Sequence, residues 1–216
     1  MPSFSYRRIW TTSLVETKAN GILRKRVRKP IPQKRSSIKL INFIVQKGRA
    51  SGFFLFEEAA NRYPDAECIW SRSGVYNWRE TYERVCQYGN YFRSLGVQPG
   101  EFVGVYLLNS PEVIFSWMGL LSIGAAPALI NYNLASDALI HCIGLSGTKI
   151  LLSDGDEGCQ SRVQGSREQI ANNLGVNMIT LSEELKAEIA NIEPTRSANL
   201  DWASSPTLPL GLLYTR

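Results

Sequence analysis

Two hundred and sixteen residues, 44% of them hydrophobic and 20% charged, suit one or two small globular domains and exclude a wholly disordered chain. The net charge of +5 conceals two opposed parts: residues 1–50 carry thirteen Lys and Arg against one acidic residue, and residues 51–216 carry eleven against eighteen. Cys68, Cys86, Cys142 and Cys159 form no Cys-x-x-Cys pair, which excludes the usual structural zinc spacing and reads as reduced thiols in an intracellular protein.

The chain opens on a basic arm, residues 1–50, whose densest run is "RKRVRKPIPQKRSSIK", Arg24 to Lys39. Such a run is a solvated arm, with the charge to contact an anionic membrane surface. No aromatic interleaving accompanies it, which argues against nucleic acid. No apolar h-region follows the first charges, so no secretory signal is expected, while a mitochondrial presequence stays open.

At Ser51 the texture changes, and residues 51–190 read as an α/β domain. "GFFLFEEAANRYP" is a short helix stopped by Pro64, "AECIWS" a strand, and Ser73 and Gly74 a turn. Asn77 with Glu80 forms a capping-box pattern. From there Tyr82, Val85, Cys86, Gly89 and Phe92 recur on one helical face, read as core packing, and Gly96 ends the helix. "FVGVYLL", Phe102 to Leu108, is a strand buried on both faces. The next helix is capped by Ser110, carries Pro111 in its first turn and ends at Gly124. No charge occurs from Val113 to Ser136, but Gly124 and Pro127 break the run and disfavour a single membrane-spanning helix.

"APALIN" is the next strand, "SDALIHCIGLSG" a helix capped by Ser136, and "KILLSD" a strand. "SREQIANNLG", "VNMITL" and "SEELKAEIAN" continue as helix, strand and helix. This alternation predicts a mostly parallel sheet flanked by helices on both faces. Residues 191–216 read as a linker and a closing strand in "LGLLYT".

A self-contained active site is hard to find. His141 has no nucleophile motif around it and is expected to be a packed structural histidine. Asp154 and Asp156 lie at the end of a strand, where open α/β sheets place ligands, yet with glycines and no third ligand type they read better as a turn than as a metal site. No dinucleotide fingerprint and no Walker-type phosphate loop is present. Neither a catalytic nor a metal-ligating residue is assigned.

Three stretches, "LGVQPGEFVGV", "NSPEVIFSWMGLLSIGAAPALIN" and "NYNLASDALIHC", closely resemble the N-terminal part of AMP-forming acyl-CoA synthetases, specifically the very-long-chain acyl-CoA synthetase and fatty acid transport protein group. The resemblance implies activation of a fatty acid with ATP and Mg²⁺ to an acyl-adenylate, then transfer to coenzyme A, at an ER, peroxisomal or lipid-droplet membrane. Leu212, Leu213, Tyr214 and Thr215 look like the strand and first two residues of the family's loop Tyr-Thr-Ser-Gly-Thr-Thr-Gly-x-Pro-Lys, and Arg216 stands where that loop has serine. Tyr214 and Thr215 are therefore the candidate nucleotide-binding residues, as a stub of the loop. Asn131 and Asn133 are of interest at the end of a central strand, with turn formation as the competing reading. On this reading the chain is truncated before the ATP-binding loop, is inactive alone, and exposes apolar faces at Phe102–Leu108 and Leu210–Tyr214. A non-catalytic membrane-associated or protein-interaction module derived from the family is the alternative.

Overall fold

The computed structural model describes residues 51–72, 74–198 and 208–214, all within one compact unit, Ile38–Arg216. The basic arm and Thr215 lie outside the described residues. Helix α1 is Gly52–Arg62, started by Ser51, whose side chain accepts the Phe53 N–H at 3.3 Å. Strands β1, Glu67–Ser71, and β2, Gly74–Asn77, form an antiparallel hairpin. The sequence pattern anticipated only its first strand, because the second runs without a gap into the next helix.

That helix, α2, is Trp78–Ser94. Its capping box is complete, with Glu80 N–H donating to Asn77 Oδ1 at 2.8 Å and Asn77 N–H to Glu80 Oε2 at 2.9 Å. Such a cap contributes about 1 kcal/mol by satisfying two amides that the helix leaves open. Gly96, just past the end, sits at φ +83°, a conformation costly for any residue with a Cβ. The expected stripe is core: Val85, Cys86, Gly89 and Phe92 are buried and Tyr82 is half-buried.

The remaining elements are β3 Phe102–Tyr106, α3 Pro111–Ser122, β4 Ala126–Leu129, α4 Ser136–Ser146, β5 Ile150–Asp154, α5 Glu157–Gln164, α6 Arg167–Leu174, β6 Asn177–Leu181, α7 Glu183–Ala190 and β7 Leu212–Leu213. Strands β3 to β7 form one parallel sheet in the order β6-β5-β3-β4-β7, so the α/β prediction holds. The period-two alternation of each strand feeds two cores. Val103, Val105 and Leu152 join Phe53, Val85, Phe115 and Ile189 from α1, α2, α3 and α7. On the opposite face, Tyr106, Leu151 and Ile130 join Leu139, Ile143, Cys159, Val163 and Ile170 from α4, α5 and α6. Each such side chain contributes roughly 1.5–3 kcal/mol on burial.

The uncharged run from Val113 is divided between α3 and β4 around Gly124, the break read from the sequence, and among the described residues no helix is long and apolar enough to cross a membrane. Other expectations need correction. The apolar face expected at Phe102–Leu108 is covered, since β3 is central and Val103 to Leu107 are buried; Leu210 and Leu213 are the exposed ones, at 57% and 65%. Ser136 does not cap α4. Ala135 holds that position without a side-chain bond, and Ser136 lies inside the helix at a left-handed φ of +48°. Helix α5 was not anticipated at all.

Helices α2 and α3 cross where Gly89 meets Gly119, so closely that a Cβ on Gly89 would lie 2.3 Å from Ser122 Oγ and 2.9 Å from the Gly119 carbonyl oxygen. Beyond α7 the chain does not drift freely. Three residues at three-residue spacing on α2 hold it: Gln87 donates to the carbonyls of Ala190 and Ile192, Asn90 to those of Glu193 and Thr195, and Arg93 to Ser197 Oγ. Arg196 forks onto Glu57 of α1 at 3.1 and 3.0 Å, and Tyr82 donates to the same carboxylate at 2.8 Å.

Candidate functional site

In a parallel sheet wound both ways, ligands collect at the carboxyl ends of the strands, near the point where the winding reverses. Here β3 is that point, because the chain proceeds from it to β4 on one side and then to β5 on the other. Between β3 and β5 the edge is closed by Asp154. Its Oδ2 accepts the Leu108 N–H at 3.0 Å and its Oδ1 accepts the Asp156 N–H at 2.9 Å. Asp156 in turn caps α5 by accepting the Cys159 N–H at 3.0 Å. Both carboxylates thus serve backbone amides, as the turn reading expected. Among the described residues no group of three or more His, Cys, Asp or Glu is placed to hold a metal ion.

On the other side of β3, the loop joining β4 to α4 rises at the same edge. Asn131 Oδ1 accepts the Asn133 N–H at 2.9 Å and Leu134 N–H donates to the Asn131 carbonyl at 3.0 Å, so the turn-forming role of Asn131 is real. Both Asn131 and Asn133 are exposed. Below them the loop is tied inward. The Tyr106 hydroxyl lies 2.6 Å from the Tyr132 carbonyl oxygen and 2.8 Å from that of Leu134. Burial pushes the Tyr106 phenol pKa up, so the group is a neutral donor to these carbonyls. Arg162, from α5, donates through Nε to the Tyr132 carbonyl at 2.9 Å and to the Tyr106 oxygen at 3.3 Å.

Beside this loop runs β7. Leu212 and Leu213 pair with Ala128 and Leu129, and Ile130 and Tyr214 each follow the last pair. The Tyr214 hydroxyl donates to the Cys142 carbonyl of α4 at 2.8 Å, and burial raises its pKa. Trp117 Nε1–H donates to the Leu210 carbonyl at 2.7 Å, fixing the approach to the strand. The structure therefore places Tyr214 at the carboxyl edge, next to the loop that carries Asn131 and Asn133. His141 stands apart on the exposed surface of α4, not packed as expected.

The edge presents two exposed neutral amides, Asn131 and Asn133, beside the end of β7. The nearby carboxylates of Asp154 and Asp156 are the wrong charge for phosphate. Backbone amides turned onto an anion, the usual cradle, are supplied by none of the groups just described. Sequence reading named Tyr214 and the asparagines as candidates and did not single out Tyr106 or Arg162. A tyrosine at the carboxyl end of a buried apolar strand was the one available signal.

A family model described as "AMP-binding enzyme" matches residues 56–215. Isopenicillin N epimerase component 1 of Hapsidospora chrysogena is 52% identical over 166 residues, which cover 76% of this chain and 27% of that protein. Long-chain fatty acid transport protein 1 of Mus musculus is 28% identical over 160 residues, covering 72% of this chain and 24% of its own. The chain thus spans about a quarter of the length of these curated relatives. Among solved structures, a fatty acyl CoA synthetase of Mycobacterium tuberculosis superposes with a TM-score of 0.63 at 17% identity, over 68% of this chain and 30% of that one. The N-terminal domain of FACL13 from the same organism gives 0.68 at 17% identity, over 77% and 42%. These two share the fold.

Proposed function

The chain belongs to the AMP-binding enzyme family, and on that premise we propose that the whole protein activates a long- or very-long-chain fatty acid. ATP would convert the carboxylate to an acyl-adenylate, with Mg²⁺ offsetting phosphate charge, and coenzyme A would then accept the acyl group. In this scheme the 216 residues supply the sheet, the β4–α4 wall and the approach of β7, and do not complete the reaction alone. The family match across residues 56–215 carries the proposal, supported by the likeness to a long-chain fatty acid transport protein. The chemistry depends on holding a carboxylate in line with the α-phosphate, for which a rigid sheet edge is the foundation.

The test is acyl-CoA formation from ATP, Mg²⁺, palmitate or a longer acid, and coenzyme A. The whole protein is expected to form it and the isolated 216-residue chain is not. Turnover by the isolated chain would refute the division of labour, and a whole protein inert toward every fatty acid would refute the substrate class.

A second reading is favoured by the 52% identity to an isopenicillin N epimerase component: the acid activated is an amino-acid-derived carboxylate such as that of isopenicillin N. Thioester formation acidifies the adjacent carbon, the step an epimerase needs. Pyrophosphate release with isopenicillin N but not palmitate would select it. For the basic run Arg24–Lys39 we propose contact with an anionic membrane surface, attraction that weakens with salt. The module reading, binding without catalysis, predicts flotation on anionic vesicles with no acyl-CoA formed by any longer form.

A further inference from the structure

We infer that Arg162 is a positioning residue that fixes the β4–α4 loop as a wall of the nucleotide site, an inference that rests on the adenylating reading above. Three observations carry it. The loop bearing Asn131 and Asn133 turns two successive-but-one carbonyls, those of Tyr132 and Leu134, inward onto a single phenol, Tyr106, which is 0% exposed. One phenolic proton serves two acceptors incompletely, and Arg162 Nε supplies the missing donor to Tyr132 while also donating to the phenolic oxygen. The loop leads directly into α4, whose Cys142 carbonyl receives the Tyr214 hydroxyl. A shift of the loop is thereby passed to the residue at which β7 reaches the sheet edge.

Arg162 lies on α5 and reaches the loop at the Tyr132 carbonyl, without a hydrogen bond to the side chains of Asn131, Asn133 or Tyr214 among those described. Its guanidinium is a fixed planar donor that lysine imitates only in charge. Its effect should therefore fall on the geometry of the loop rather than on the field at the site.

The experiment compares Arg162→Met, Arg162→Lys and Tyr106→Phe in the whole protein by calorimetric ATP binding, coenzyme A binding, thermal melting and hydrogen exchange. Arg162→Met should weaken ATP binding roughly three- to tenfold, the scale of one or two lost hydrogen bonds. It should also speed exchange at the Leu134 amide while β3 amides stay protected, and leave coenzyme A affinity unmoved. Arg162→Lys should recover part of the loss, and Tyr106→Phe should move both readouts the same way. Unchanged ATP affinity in Arg162→Met and Tyr106→Phe overturns the inference, as does an equal loss for ATP and coenzyme A. Where Arg162→Met does not fold, the other two variants decide. A wild-type protein that binds ATP but makes no acyl-CoA refutes only the acid-activation reading, and the affinity comparison still decides. One that binds no ATP overturns both.

Discussion

Replacing Gly89 by alanine tests the helix crossing on which one face of the sheet is built. In an open helical position the change would stabilise, because alanine is favoured over glycine by about 1 kcal/mol in a helix interior. At Gly89 the new methyl would stand 2.3 Å from Ser122 Oγ and 2.9 Å from the Gly119 carbonyl oxygen. Ser122 can rotate away only by giving up its 2.6 Å bond to that carbonyl, in a site where it is 3% exposed. The Gly119 oxygen is backbone and moves only if α3 moves. Overpacking of this kind costs about 1–3 kcal/mol, and an orphaned buried hydroxyl adds about 1 kcal/mol or more. Set against the propensity gain, the net destabilisation is about 1–3 kcal/mol. Urea denaturation at constant m-value should show a lower midpoint. The matching control is Gly165→Ala, an exposed position at φ −64° with nothing within 4 Å of its Cβ, where a gain of about 0.4–1 kcal/mol is expected. A Gly89→Ala protein as stable as the wild type, or more so, would refute the reasoning.

Glu101 offers a pH test. The Lys149 ammonium at 2.6 Å, helped by the Gln98 amide, holds its carboxyl below the usual value. A depressed folded pKa contributes stability above the unfolded pKa, and the contribution is lost as pH falls through the folded one. Glu101→Gln should therefore be less stable than wild type at pH 7, by at most about 1 kcal/mol for so exposed a pair, and the two should converge below pH ~4; a gap that persists in acid denaturation curves refutes the pairing. Among the thiols, burial pushes Cys86 up to about 11. With 2% exposure it should resist iodoacetamide in the native protein at pH 8 while Cys142, half-buried, is labelled, as peptide mass spectrometry would show.

The parallel sheet was legible because its strands are short apolar runs separated by caps that act locally, such as Asn77 with Glu80. Strand β2 escaped notice since its four residues hold only Val75 and Tyr76 as strand formers before α2 begins. Helix α5 buries only Cys159 and Val163, too few apolar residues for a periodic signal. The inward ties of the β4–α4 loop were invisible for a different reason. Arg162 and Tyr106 act on backbone carbonyls, and a carbonyl leaves no trace in the sequence of the residue that owns it. The same holds for Gln87, Asn90 and Arg93, which read simply as the polar side of an amphipathic helix.

The pairing of Glu57 with Arg196, 139 residues apart, bears on how the molecule is made. At roughly 5–20 residues per second on the ribosome, Glu57 waits on the order of ten seconds for its partner. During that interval α1, α2, α3, β3 and β4 can already assemble, whereas the stretch that crosses back over α2 is still to come. Glu57 then has only the Tyr82 hydroxyl for company, and the groove along Gln87, Asn90 and Arg93 stands open. A nascent chain caught there would present three unfilled amide and guanidinium donors in a row, a ready foothold for any extended peptide that arrives before its own.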